Sequence, residues 1–314
     1  MKKQLPKSLK PGDTIGIITP AGIISKFQLQ TIVDTIHGLA YKSYFLPSVL
    51  SAQGYLAGTD AERAEELMHM FENKKVNAVM CARGGYGANR ILNLLDYKTI
   101  QKNPKIFIGY SDISSLITAF YQKCGLVSFH GPVGISEFNE FTAKIFSDIL
   151  TCPNDTYEYP YEREPETEHN SEFDFYTISK GCAEGKLIGG NLSLINSLIG
   201  TDFEPIFKNK LVFLEDIDEK PYKIDRMLTQ LIQATDIKLA AGIIFGVFKG
   251  CEVENTPSFT LKETLEQLIK PLNLPSVYGF PFGHIKNNMT LPAGTSALLD
   301  ANRKTLKLTE PSVY

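Results

Sequence analysis

The 314-residue sequence lacks any apolar run long enough to span a bilayer. Its longest, LAAGIIFGVF at 239–248, falls far short of the roughly 20 residues that a spanning helix needs. It lacks a charge excess as well: 32 basic residues face 35 acidic ones, for a net charge of −3. That balance gives no broad attraction to nucleic acid or to an anionic membrane, so neither is expected as a partner. Cysteines are few. Cys81, Cys124, Cys152, Cys182 and Cys251 are odd in number and scattered, with no CxxC or Cys/His spacing, which argues against a zinc site or a redox pair. Buried or inert thiols are expected. The N-terminal lysines lead into prolines and Asp13 rather than an apolar signal segment, so a cytoplasmic protein is expected. The phosphate-loop patterns GxxxxGK[ST] and GxGxxG are both missing.

What is present is an ordinary globular composition, 43% hydrophobic and 21% charged, in a chain long enough for two domains with cores of their own. Strand and helix patterns alternate. TIGIITPAG (14–22) reads as a strand and a Gly/Pro turn, and VNAVMCA (76–82) and KIFIGY (105–110) read as strands. Residues 25–40 carry helical spacing through Phe27, Leu29, Ile32, Val33, Ile36 and Leu39. Helices are also expected over 60–73, with Asp60 as N-cap, over 88–97, and over 113–125. The alternation predicts an α/β fold with a parallel sheet covered on both faces. Residues 151–180 are rich in Pro, Glu, Asp and Asn and read as a linker and exposed loop between domains at 1–150 and 181–314. In the second domain, strands are expected over 210–218, 240–248 and 275–284, helices over 222–235 and 258–272, and a hairpin over 295–310. TLKE at 260–263 reads as a capping box.

The stretch FIGYSDISSL (107–116) leaves a buried strand through a serine and enters a helix at once. Ser111 or Asp112 can simply cap that helix, as both residue types often do. Ser111 can line a binding site. It can also be a nucleophile lifted clear of the sheet, with the first free N–H groups of the helix beside it. The usual nucleophile elbow has glycine two places to either side; here Gly109 supplies the first, and Ile113 stands in place of the second. A serine nucleophile needs a base. His37 and His69 lie on predicted helices and read as surface or packing residues, and His169 lies in an acidic loop. His130 and His284 each follow a strand and are equal candidates on local grounds. Glu215 is the first acid after a strand and can hold an imidazole, although a helix-cap or ion-pair role fits it equally. Asp216, Asp218 and Glu219 read as solvated turn residues. The Gly-rich turn CARGGYGANRIL (81–92) suits an oxyanion or carboxylate better than a nucleotide, with Gly84 or Gly85 offering an N–H and Arg83 a charge. LIGGNLSL (187–194) is a second Gly-Gly turn, with Asn191 either structural or facing substrate.

Together, RGGYGANRIL, FIGYSDISSL, GKLIGGNLSLINSLIGT, LVFLEDIDEKPYKIDRMLTQL and GFPFGHIKNNMTLPAGTSALLD resemble, in that order, the LD-carboxypeptidase family of serine peptidases. That family also contains the microcin C self-immunity peptidases. The resemblance runs from about 12 to 300. It implies an N-terminal flavodoxin-like domain and a smaller C-terminal α/β domain, with the active site between them. It implies a Ser-Glu-His triad on Ser111, Glu215 and His284, and oxyanion donors at the backbone N–H groups of Asp112 and Gly85. It lifts His284 above His130 and makes Ile113 the family's own pattern. A cytoplasmic homodimer without metal or cofactor is implied. The implied substrate is the murein tetrapeptide of peptidoglycan recycling, cut before its terminal D-alanine, with Arg83 and Asn191 as candidate substrate contacts.

Within the family, the alternative is hydrolysis of a peptidyl or aminoacyl nucleotide. That activity stacks adenine on an aromatic loop, often with Trp. This sequence has no Trp, but 151–180 offers Tyr157, Tyr159, Tyr161, Phe173, Phe175 and Tyr176. A non-catalytic binder of a small polar ligand fits the same α/β pattern. A nucleotide-dependent enzyme built on 81–92 fits it poorly, because its phosphate motifs are incomplete.

Overall fold

A computed structural model describes residues 2–164, 167, 170–252 and 257–314. The chain divides into two compact units. The first is Met1–Pro153 with Thr290–Gly294 and Ser312–Tyr314; the second is Asn154–Met289 with Thr295–Pro311.

In the first unit, β1 (Thr14–Ile18), β2 (Lys42–Tyr44), β3 (Ala78–Cys81), β4 (Ile106–Gly109) and β5 (Ser128–His130) form a parallel sheet in the order β5-β4-β3-β1-β2. Read from the other edge, this is the flavodoxin order, with its topological switch between β1 and β3. β3 and β4 are buried at every position, as strands covered on both faces must be, which is why their sequences are continuous apolar runs. A sixth strand, β12 in chain order (Leu291–Ala293), pairs antiparallel with β5.

The helices around this sheet are α1 (Lys26–Gly38), α2 (Asp60–Glu72), α3 (Ala88–Ile91), α4 (Tyr97–Lys102), α5 (Ser114–Cys124) and α6 (Glu140–Thr151). α1 buries Leu29, Ile32 and Ile36, whereas Phe27 of the same periodic pattern is 81% exposed. α2 is capped by Thr59, not Asp60: Thr59 and Glu62 form a capping box, and Asp60 pairs with Arg63 and Arg90. The single helix expected over 88–97 is broken, because Asp96 accepts from the amides of Lys98 and Thr99 and starts α4 afresh. Phe71, Phe107 and Phe120 pack edge to face and stacked beneath the sheet, with Phe107 and Phe120 at 4.8 Å.

The second unit is built on β6 (Tyr157–Glu158), β7 (Tyr176–Ser179), β8 (Cys182–Asn191), β9 (Lys210–Glu215), β10 (Gly242–Phe245), β11 (Ser276–Tyr278), β13 (Ser296–Asp300) and β14 (Thr305–Leu308). Their order is β6-β14-β13-β8-β9-β10-β11-β7, with β8 to β11 parallel and the flanking strands antiparallel. Residues 154–180, expected as linker and loop, belong to this unit and supply both edge strands. These edge strands are short, two and four residues. The helices are α7 (Leu192–Ser197), α8 (Pro221–Ala234) and α9 (Leu261–Ile269), the last with the Thr260–Glu263 capping box that TLKE predicted. The predicted hairpin is the β13–β14 pair. Gly189 and Gly190 lie within β8 rather than in a turn. A β-carbon at Gly189 would stand 1.8 Å from the Phe213 carbonyl oxygen, so glycine is what lets β8 lie against β9 there. No helix among the described residues is long and apolar enough to cross a membrane.

Candidate active site

The chain leaves β4 through Tyr110, turns at Ser111, and runs through a 3-10 turn (Ser111–Ile113) into α5. Ser111 has φ +64°, in the left-handed region that non-glycine residues enter rarely and that clusters at functional sites. The turn has the strained strand-to-helix geometry that a nucleophile elbow uses. Gly109 is needed because a β-carbon there would meet Ile113 at 2.9 Å; the isoleucine fills the space where the usual elbow has its second glycine. Capping does not account for the serine. The cap positions of the 3-10 turn and of α5, Tyr110 and Ile113, make no side-chain cap bond. The Asp112 carboxylate turns away and accepts the Ala88 N–H at 2.7 Å, tying the elbow to the Gly-rich turn. Burial, only partly offset by that bond and by the Arg63 charge, pushes the Asp112 carboxyl up to about 6.

The Gly-rich turn follows β3. Gly84 lies against Ser111: a β-carbon on it would stand 2.9 Å from Ser111 Cβ and 3.3 Å from Asp112 N. Gly85, at φ +113°, packs on Gly22, whose N–H donates to the Gly84 carbonyl at 3.1 Å. Arg63, fully buried on α2, donates to the carbonyls of Pro20 and Gly87 and so clamps the turns after β1 and β3 together. At this switch point lies a pocket of about 670 Å³ lined by Gly22, Ile23, Tyr55, Arg83, Gly85 and Tyr86. Arg83 is half-buried and donates to the Ile23 carbonyl at 3.1 Å.

In the second unit, Glu215 ends β9 and is fully buried. Its Oε2 is 2.8 Å from His284 Nδ1. A carboxylate only accepts, so Nδ1 carries the proton and a neutral imidazole keeps its lone pair on Nε2. Burial works against the charged imidazole. The charge and hydrogen bond of Glu215, with the Asp216 charge, outweigh it and raise the His284 pKa above its usual 6.5.

Asp216, expected as a solvated turn residue, is buried beside this pair. It accepts from Asn191 Nδ2 at 2.9 Å, Ile217 N at 2.9 Å, and Ser193 N and Oγ at 3.0 and 2.8 Å. Burial first, then the Glu215 charge, pushes it up to about 6 despite those donors. Asn191, an expected substrate contact, is buried. It pairs with Asp216 through its amide nitrogen and caps α7 through its oxygen.

His130, the other candidate base, is fully buried at the end of β5, where it pairs in register with Gly109 and Leu291. His37 bonds Ser43 Oγ and His69 stacks on Tyr44, as surface and packing residues. His169 lies outside the described residues. Cys81, Cys124 and Cys251 are buried; Cys152 and Cys182 are exposed. Sequence reasoning missed Arg63, Asp216, Tyr55 and Tyr86. Arg63 sits in a helix whose charged residues read as solvated, and Asp216 gains meaning only from the β8–β9 register that pairs Asn191 with Glu215.

Comparison with known proteins matches residues 15–131 to the LD-carboxypeptidase N-terminal domain and residues 184–299 to the LD-carboxypeptidase C-terminal domain. A probable murein peptide carboxypeptidase of Bacillus subtilis is 39% identical over 306 residues, covering 96% of this chain and 92% of that protein. Among solved structures, the muramoyltetrapeptide carboxypeptidase of Oxalobacter formigenes matches with a TM-score of 0.82 at 29% identity, over 94% of this chain and 97% of that one. The microcin C7 self-immunity protein MccF, in complex with aspartyl sulfamoyl adenosine, matches with a TM-score of 0.90 at 26% identity, over 99% and 100%. With both domains matched in order and a relative of this identity along nearly its whole length, the chain belongs to the LD-carboxypeptidase family.

Proposed function

We propose that this protein is a serine carboxypeptidase that removes the terminal D-alanine from murein tetrapeptides, in the cytoplasm and as a homodimer, within peptidoglycan recycling. The observation that carries the reading is the Glu215–His284 hydrogen bond, which leaves Nε2 as a base, in a chain whose one elbow serine is held at positive φ. In the proposed mechanism His284 takes the Ser111 proton, and Ser111 Oγ attacks the amide carbonyl. Glu215 orients the imidazole and offsets its charge. The N–H groups of Asp112 and Gly85 receive the oxyanion. His284 protonates the departing amine, and water releases the acyl group from Ser111. Arg83 receives the free carboxylate of the last residue. Asn191 serves as a positioning residue through Asp216. Each oxyanion donor contributes roughly 3 kcal/mol to lowering the barrier.

The likeness to MccF keeps an aminoacyl nucleotide as the second reading. Among the six aromatic residues of 151–180, five are buried or partly buried and only Tyr161 is exposed, which leaves little open ring face for an adenine. Tyr161 stacks on Phe175 at 4.0 Å, Tyr176 on Tyr278 at 5.1 Å, Tyr157 meets Tyr159 edge to face, and Phe173 is buried. Mass spectrometry of the products from a murein tetrapeptide, run beside an aminoacyl sulfamoyl adenylate, separates the two. Loss of one D-alanine from the peptide is expected. An intact peptide beside a cleaved adenylate overturns the reading.

A further inference from the structure

We propose that the pocket beside the Gly84–Gly85 turn is the subsite for the substrate's last residue, and that Tyr55 and Tyr86 extend its range from alanine to large aromatic side chains. This rests on the reading above that Arg83 receives the terminal carboxylate.

The first observation is size. About 670 Å³ lies within the ~300–1,000 Å³ of pockets that enclose whole drug-sized ligands, far more than an alanine methyl fills. The second is the wall. Tyr55 and Tyr86 are 66% and 54% exposed, yet their rings touch edge to face, with centroids 5.6 Å apart at 70°. Scattered exposed aromatics are ordinary. Two in contact, lining one concave site with Ile23, present apolar faces to which a third ring can add in the same geometry.

The third observation is the floor. Gly22 and Gly85 carry no side chain, and a β-carbon on Gly22 would stand 3.2 Å from Arg83 Nε. The bare backbone lets the Arg83 side chain pack against Gly22. Arg83 Nη1 is fixed on the Ile23 carbonyl, while its buried Nε has no hydrogen-bond partner among the described residues. A ligand carboxylate pairs with the part of the guanidinium that lines the pocket, and the side chain of that residue then points along the tyrosines. Because Gly84 of the same turn lies against Ser111, a residue seated here is next to the bond that the serine attacks.

The test uses two tetrapeptides identical except for the last residue, D-alanine or D-phenylalanine. Release of that residue is followed as kcat/KM for the wild type, Tyr55→Ala and Tyr86→Ala. The wild type is expected to release D-phenylalanine within about tenfold of D-alanine. Each substitution is expected to lower the ratio of the two kcat/KM values, by up to about tenfold. D-alanine release with D-phenylalanine release below a hundredth of it overturns the inference and leaves the carboxypeptidase reading standing. A ratio unchanged in both variants also overturns it. Release from neither peptide overturns both. The wild-type measurement decides even if a variant fails to fold.

Discussion

Gly283 lies so close to Glu215 that a β-carbon on it would stand 2.8 Å from Oε2, the carboxylate oxygen that holds His284. Its φ of +112° is also one that an L-residue adopts only under strain. Glycine at this position therefore sets the distance between the acid and the imidazole of the next residue. Gly283→Ala is expected to push Glu215 aside and lower kcat/KM about 100-fold, the effect of roughly 1 Å of misplacement, while destabilising the fold by about 1–3 kcal/mol. Steady-state kinetics and thermal unfolding on the same preparation check both. Activity within twofold of wild type would contradict this role for the glycine.

In the proposed mechanism His284 must be neutral to accept a proton, so activity is expected to fall as pH drops through its pKa. Glu215 raises that pKa above 6.5 against the opposing pull of burial. The acid limb of kcat/KM is therefore expected above pH 6.5. In Glu215→Gln the charge is gone and burial remains, so the limb should move to lower pH while the plateau falls by roughly 10³–10⁴-fold. A limb that stays in place in the variant would show that some other group titrates.

Asp216 has its pKa raised from 3.8 to about 6 in the folded protein. A raised folded value means that the native state binds the proton more tightly than the unfolded chain. This group's contribution to stability is then complete below pH 3.8 and is lost as pH rises through about 6. Asn cannot titrate. Asp216→Asn is thus expected to gain on wild type by up to about 3 kcal/mol in urea unfolding between pH 4 and pH 8, on top of a constant loss from its weaker hydrogen bonds. A difference between the two proteins that does not change with pH would contradict the assignment.

Much of this was legible in the sequence for a physical reason. Buried parallel strands must be continuously apolar, and turns that approach other backbone closely must be glycine, so β1, β3, β4 and the Gly-rich turn after β3 could be read directly, whereas Gly189 and Gly190, read as a turn, lie within β8. Ser111, Glu215 and His284 all sit at or just beyond strand ends, where such a reading looks first. What could not be read is what depends on register between strands distant in sequence. The burial of Asp216 requires Asn191 opposite Glu215, and β12 requires residues 291–293 to return to the edge of the first sheet. The edge strands β6 and β7, two and four residues long, are too short to show a period amid the Pro- and acid-rich residues around them. The Tyr55–Tyr86 contact joins two turns 31 residues apart, with no local signal in either.

The central claim is that Ser111 is the nucleophile of a peptidase. The direct measurement is D-alanine release from a murein tetrapeptide by wild type and Ser111→Ala, with thermal unfolding of both. Release by the wild type is expected, with a loss of roughly 10⁴–10⁶-fold in the variant and little change in melting temperature. A folded Ser111→Ala protein that still turns over the peptide at a rate near that of the wild type would contradict it.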